Sequence, residues 1–179
     1  MEPEFASFPP PVLRLAQQLG IQLRQSGWTC ATAESCTGGG IAYAITQIAG
    51  SSDYLMGGFV SYSNEAKERL LGVQRETLDR VGAVSAECAE EMAAGARRAL
   101  DVDVAISSTG IAGPGGATAR KPVGLVYVAV AGPGGVEVRE LSLAGSRATI
   151  MRDSIREALA LAVRLTGDTS PQNTGQEPD

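Results

Sequence analysis

The sequence predicts an α/β fold, a three-layer α/β/α sandwich built on a mixed β-sheet. Short β-prone runs alternate with segments of helical periodicity along the whole chain. The run LVYVAVA at 125–131 is almost continuously apolar, as expected of a strand covered on both faces. A second strand pattern follows it across a tight glycine-proline turn, so at least one strand pair is antiparallel. The 179 residues suit one domain, and no internal boundary or domain-sized repeat divides them.

Residues 1–11, MEPEFASFPPP, are acidic and proline-rich and read as a disordered leader, with no signal-peptide pattern. From Val12 the apolar positions Val12, Leu15, Ala16, Leu19 and Leu23 recur at helical spacing, and Gly27 ends that helix. Trp28 to Ala33 is β-prone and leads into ESCTGGG. Ile41 to Ile48 is apolar and helical, closed by Gly50. Gly58 to Tyr62 reads as a strand, with Asn64 as the N-cap of a short helix through Leu71. Thr77 to Arg80 is a further helical turn, and Ser85 caps a longer helix to Leu100. Val102 to Ser107 is strand-like and opens into the long loop TGIAGPGGATARKPVG. Leu125 to Ala131 and Val136 to Leu143 form the hairpin. Ala148 to Leu165 is the closing helix of a domain spanning 12–166. Residues 167–179 are polar and acidic and read as a disordered tail.

Composition narrows the chemistry. Lys plus Arg number 15 against 20 Asp plus Glu, a net charge of −5, and aromatics are 4%. That argues against direct nucleic-acid binding, which needs a basic footprint and stacking platforms. Histidine is absent, so no Ser-His-Asp triad, Cys-His dyad or His-ligated zinc site exists. No stretch approaches the ~20 apolar residues of a membrane span. Cys30, Cys36 and Cys88 contain no CxxC and fit reduced thiols in the cytoplasm. A symmetric homodimer is the expected oligomeric state on base rates.

Three segments carry chemical potential. In AESCTGGG a strand enters a small-residue turn that opens a helix, where backbone N–H groups favour anions. Ser35 or Thr37 is there either a plain N-cap or a nucleophilic hydroxyl. Gly38, Gly39 and Gly40 permit close approach of a ligand or of a second backbone. In GFVSYSNEAKERL, Tyr62 and Lys67 suit ordinary rim packing and surface charge. With no histidine, however, a desolvated lysine is a leading base for a hydroxyl nucleophile, and Tyr62 could orient a proton. In SSTGIAGPGG, Ser108, Thr109 and Gly110 follow a buried strand, where open α/β sheets collect ligands. The glycine backbone around Gly113 can donate to a phosphate or an oxyanion; the plain alternative is a surface loop. AGPGG recurs at 131–135, where it is a hairpin turn. Arg147, opening the last helix, suits a phosphate or carboxylate.

TAESCTGGG, GFVSYSNEAKERLLGV, GAVS, STGIAGPGG and KPVGLVYVAV occur in one order over about residues 12–165. In that order they resemble the CinA C-terminal domain family, the PncC-type nicotinamide mononucleotide deamidases. The resemblance implies an α/β/α sandwich without metal or cofactor. It implies hydrolysis of the carboxamide of nicotinamide mononucleotide to nicotinic acid mononucleotide and ammonia. It places Ser35 at the nucleophile and Lys67 at the base, and Tyr62, Thr109 and Arg147 at other functional positions. Thr37, Gly38, Gly39, Gly110 and Gly113 are the accompanying candidates for substrate binding. The chain lacks the separate N-terminal domain of two-domain CinA proteins, so a stand-alone deamidase is expected. Two alternatives remain at this point. Cys36, Lys67 and Glu34 are the residue types of a nitrilase-like amidase, and a thiolate is the stronger nucleophile. The other is an accessory or binding protein linked to competence or DNA damage.

Overall fold

The computed structural model describes residues 7–167. In chain order the elements are α1 (Pro10–Ser26), β1 (Cys30–Glu34), α2 (Gly40–Thr46), β2 (Leu55–Val60), α3 (Asn64–Leu71), α4 (Arg75–Arg80), α5 (Ala86–Ala99), β3 (Val104–Gly110), β4 (Leu125–Gly132), β5 (Gly135–Ser142) and α6 (Arg147–Gly167). A 3₁₀ turn, Ser51–Asp53, precedes β2. The strands form one five-stranded sheet ordered β2-β1-β3-β4-β5. β1 runs parallel to both β2 and β3, while β4 is antiparallel to β3 and to β5. This is the mixed sheet that the sequence predicts.

Helices cover both faces. Val12, Leu19 and Leu23 of α1, Ile41 and Ile45 of α2, and Ile150, Leu159 and Leu161 of α6 pack on Ile106, Val126 and Val128 of the sheet. On the other face Leu71 of α3 and Cys88, Met92 and Ala96 of α5 pack on Ala31, Ala33 and Ala105. Small residues on this face let α5 lie close, and Gly95 takes that furthest. A Cβ built there would sit 1.9 Å from the Leu71 carbonyl oxygen. Only glycine allows the end of α3 to approach α5 so closely.

Four sequence expectations shift. Pro10 and Pro11 belong to the first turn of α1, not to a leader through residue 11. Proline is tolerated there because its missing N–H would have no helical partner anyway. The helix cap at α3 is Ser63, not Asn64: Ser63 is extended, and its Oγ accepts from the Ala66 N–H at 3.1 Å. β2 begins at Leu55 and ends at Val60, so Tyr62 lies just beyond it. Its register against β1 shifts between Cys30 and Ala31, leaving Met56 as an extra residue; this bulge and the Gly57–Gly58 pair mask the strand's period. α6 extends through Gly167. The expected leader's first six residues, and the expected tail from residue 168 onward, lie outside the described residues.

The topology fixes where a ligand sits. The crossover from β1 to β2 passes through α2 on one face, and the crossover from β2 to β3 passes through α3, α4 and α5 on the other. β1 lies between its two parallel neighbours, so the connections diverge at its carboxyl end. Such a divergence leaves a crevice outside the strand ends.

Candidate active site

That crevice is a cleft of about 260 Å³ lined by Ser35 and Cys36 after β1, Tyr62, Asn64 and Lys67 after β2, and Thr109 to Gly113 after β3. Ala83, Val84, Gly115, Gly116 and Arg147 complete its walls. A larger groove of about 340 Å³ lies by the β4–β5 turn, against Trp28, Val130 and Leu165. Its carboxylate, Glu137, is paired with Arg164, and no nucleophile–base pair lines it. The smaller cleft holds the reactive groups.

Lys67 occupies the buried stripe of α3 together with Leu71, one turn on. It is 1% exposed. Its Nζ donates to the Ser61 carbonyl at 2.7 Å and lies 3.1 Å from the Ser35 Oγ. Among the described residues no carboxylate forms an ion pair with it. Burial therefore lowers the Lys67 ammonium below the ordinary lysine range. The neighbouring Cys88 and Cys36 thiols, as anions, would act the other way. Burial holds them at about 11 and about 12, so at neutral pH they carry no charge with which to do so. A lysine with its amine aimed at a hydroxyl and its charged form disfavoured is a base poised for proton abstraction.

The same numbers weigh against Cys36 as nucleophile. It is 5% exposed, and a thiol near 12 supplies negligible thiolate at neutral pH. Glu34 does not face Lys67 either. It is fully buried at the end of β1, where its carboxylate accepts from Ile41 N–H and Ala42 N–H, each at 2.9 Å, and from the Thr37 hydroxyl at 2.7 Å.

Glu34 thus caps α2, a role that neither Ser35 nor Thr37 takes. The amides expected to receive a substrate anion are already occupied by a protein carboxylate. Thr37, 2% exposed, spends its hydroxyl on Glu34 and on Ser108, 2.6 Å away. Thr37, Gly38 and Gly39, expected to bind substrate, do not line this cleft. The glycines serve the turn: Gly38 and Gly39 have φ of 61° and 95°, and Gly38 N–H bonds to the Ser35 carbonyl.

The other expected residues do meet in the cleft. The Thr109 hydroxyl donates to the Ala83 carbonyl at 2.7 Å and ties the 83–84 wall to β3. Gly110 is required by packing as well as by its place in the cleft, since a Cβ there would lie 2.6 Å from Val126. Arg147 donates to the Gly113 carbonyl at 2.7 Å and to the Tyr62 hydroxyl at 3.0 Å. Tyr62, 61% exposed, accepts from Arg147 and keeps its own proton for another partner. Sequence reasoning missed Glu34 as a cap, Ser61 as the lysine's carbonyl partner, Ser108 behind the turn, and Asn64 as a cleft residue. An acid ending an otherwise apolar strand was the one signal available for Glu34.

The family profile described as CinA C-terminal domain matches residues 12–166. A relative from Moorella thermoacetica, named as competence-damage inducible, is 53% identical over 136 residues, 76% of this chain and 33% of the relative. A CinA-like protein of Citrifermentans bemidjiense is 49% identical over 156 residues, 86% of this chain and 38% of the relative. The chain spans about a third of the length of the curated relatives it matches. The crystal structure of the competence/damage inducible protein CihA from Agrobacterium tumefaciens superposes with a TM-score of 0.87 at 43% identity, covering 90% of this chain and 99% of that one. With the cleft at the divergent strand ends, the matched span and the shared architecture, the chain belongs to the CinA C-terminal domain family.

Proposed function

We propose that the chain is an amidohydrolase of the Ser–Lys type acting on the carboxamide of nicotinamide mononucleotide. The observation that carries this reading is the buried Lys67 amine, 3.1 Å from the Ser35 hydroxyl, with its pKa lowered and no carboxylate paired to it among the described residues. Neutral Lys67 takes the Ser35 proton as Oγ attacks the amide carbon. The resulting ammonium returns that proton to the departing nitrogen, which leaves as ammonia. Water then cleaves the acyl-serine, with Lys67 again accepting a proton. The Ser61 carbonyl holds the amine in place through both charge states.

Ala83, Val84, Ile111 and Ala112 supply an apolar wall suited to a pyridine ring. Because Glu34 fills the α2 N-terminus, the nucleotide phosphate falls to Arg147 and the glycine loop around Gly113. The decisive measurement is ammonia release from nicotinamide mononucleotide, compared with free nicotinamide and with the dinucleotide. Ser35→Ala should lose roughly 10³-fold or more in turnover while still binding substrate. Activity within about twofold of the parent would overturn the nucleophile. Arg147→Ala should lower catalytic efficiency roughly 10- to 150-fold, the worth of a charged hydrogen bond. Nicotinamide riboside, which has no phosphate, should be a poor substrate for the parent, and equal efficiency on it would remove the phosphate site.

A further inference from the structure

Ser35 is only useful if its hydroxyl stays aimed at Lys67, and its backbone is pinned from both sides. Its N–H donates to the Ser108 carbonyl at 3.0 Å, and its carbonyl accepts from Gly38 N–H at 3.1 Å. The residues behind the turn are themselves tied to one group. Thr37 has a single hydroxyl proton and gives it to Glu34 Oε2, the oxygen that also accepts from Ile41 N–H. In the 2.6 Å contact between Thr37 and Ser108, the Ser108 hydroxyl must therefore be the donor. The proton order runs one way, from Ser108 to Thr37 to Glu34. The Glu34 carboxylate also takes the two N–H groups of Ile41 and Ala42. One buried carboxyl group thus joins the end of β1, the turn that carries Ser35, the start of α2 and the end of β3.

We infer that Glu34, acting through Thr37 and Ser108, is the positioning residue that sets the Ser35 hydroxyl against Lys67. It touches no reacting atom. The inference rests on Ser35 being the nucleophile, as in the function proposed above. Glutamine at 34 presents an N–H₂ where the site needs an acceptor, so one of the three donors would face another donor. Valine at 37 keeps the volume and removes the hydroxyl that links Glu34 to Ser108.

The test compares the full chain with Glu34→Gln, Thr37→Val and the double variant. One measurement is turnover of nicotinamide mononucleotide across pH. The other is the rate of Ser35 labelling by a fluorophosphonate probe, which does not depend on the identity of the substrate. Each single variant should lose tenfold or more in kcat and in labelling rate, with KM changed less than threefold. The double variant should be no worse than Glu34→Gln alone, because both substitutions cut the same chain. The rising limb of the pH profile should keep its midpoint, since Glu34 does not face Lys67. If Glu34→Gln fails to fold for loss of the helix cap, Thr37→Val, which leaves that cap in place, carries the comparison. Folded variants with labelling and turnover within twofold of the parent overturn the inference. So do losses that multiply in the double variant, or a displaced pH limb. A parent chain that is labelled at Ser35 but releases no ammonia overturns the proposed substrate and leaves this comparison intact. A parent chain not labelled at Ser35 overturns both.

Discussion

An amine held out of water is costly only while it is charged. Lys67, with its pKa lowered in the fold, binds its proton less readily there than in the unfolded chain. The cost is full below the folded pKa and is relieved as pH rises toward the unfolded value near ~10.4. Catalytic efficiency should accordingly rise with pH along a limb below the usual lysine range, read from a kcat/KM profile. Lys67→Met should be inactive yet melt higher at neutral pH, by about 2–4 °C for each kcal/mol relieved, and that advantage should shrink in alkaline buffer. Lys67→Arg should be inactive as well, because a guanidinium stays protonated. A contrasting case stands next to it. The Ser61 Oγ is buried without a hydrogen-bond partner among the described residues, while the Ser61 carbonyl serves Lys67. Ser61→Ala should leave turnover intact and be neutral to about 1 kcal/mol stabilising in urea denaturation. Ser35 and Lys67 were legible in the sequence because histidine is absent and each sits in a distinctive word. Glu34 was not, because a capping carboxylate and a solvated one look alike until burial is known. Thr37, Gly38 and Gly39 carry a related ambiguity: glycine marks any close approach, and here a turn makes one.

Elements place these residues through packing that sequence periodicity only half reveals. The helix carrying Lys67 is eight residues long and relies on α5 for its position. Gly95→Ala would push a methyl group against the Leu71 backbone, where a Cβ has 1.9 Å to the carbonyl oxygen. It should destabilise the chain by about 1–3 kcal/mol or more, as overpacking does. Because α3 would move with Leu71, it should also lower kcat, by up to about 10²-fold for a shift near 1 Å. Thermal melts and turnover on the same sample separate the two effects. A Gly95→Ala chain with parental stability would mean that the α3–α5 contact is looser than its geometry indicates. α5 and β4 were readable from the sequence because a serine cap and a long apolar run are strong signals. β2 was readable only from Gly58 onward: its two glycines hide in the sequence an alternation that the fold does show.

At the scale of the whole fold, two helical layers cover the central strands and keep all three thiols from solvent. Cys30 and Cys88 are completely buried and Cys36 nearly so. A thiol reagent should therefore modify Cys30 and Cys88 only as fast as the fold opens, and all three at once in denaturant. Fast labelling of either under native conditions would contradict the packing. Among the described residues no helix is long and apolar enough to cross a membrane. The layered architecture was legible because strand and helix patterns alternate. The meeting of residues 35, 67, 109 and 147 at one end of the sheet was implied by the family resemblance alone, since strand order is not written in any local pattern.

The mouth of the cleft depends on a single guanidinium that bridges Gly113 and Tyr62, 34 and 85 residues before it in the chain. Arg147 opens α6, the last described element. A ribosome makes Ser35 and Lys67 long before it makes Arg147, yet a domain folds as a unit. A growing chain cannot complete the fold around Ser35 and Lys67 before α6 exists, because Ile150, Leu159 and Leu161 of that helix form part of the core on one face of the sheet. The contact that sets Ser35 beside Lys67 and the bridge across the rim thus arrive together, late in translation, when α6 docks.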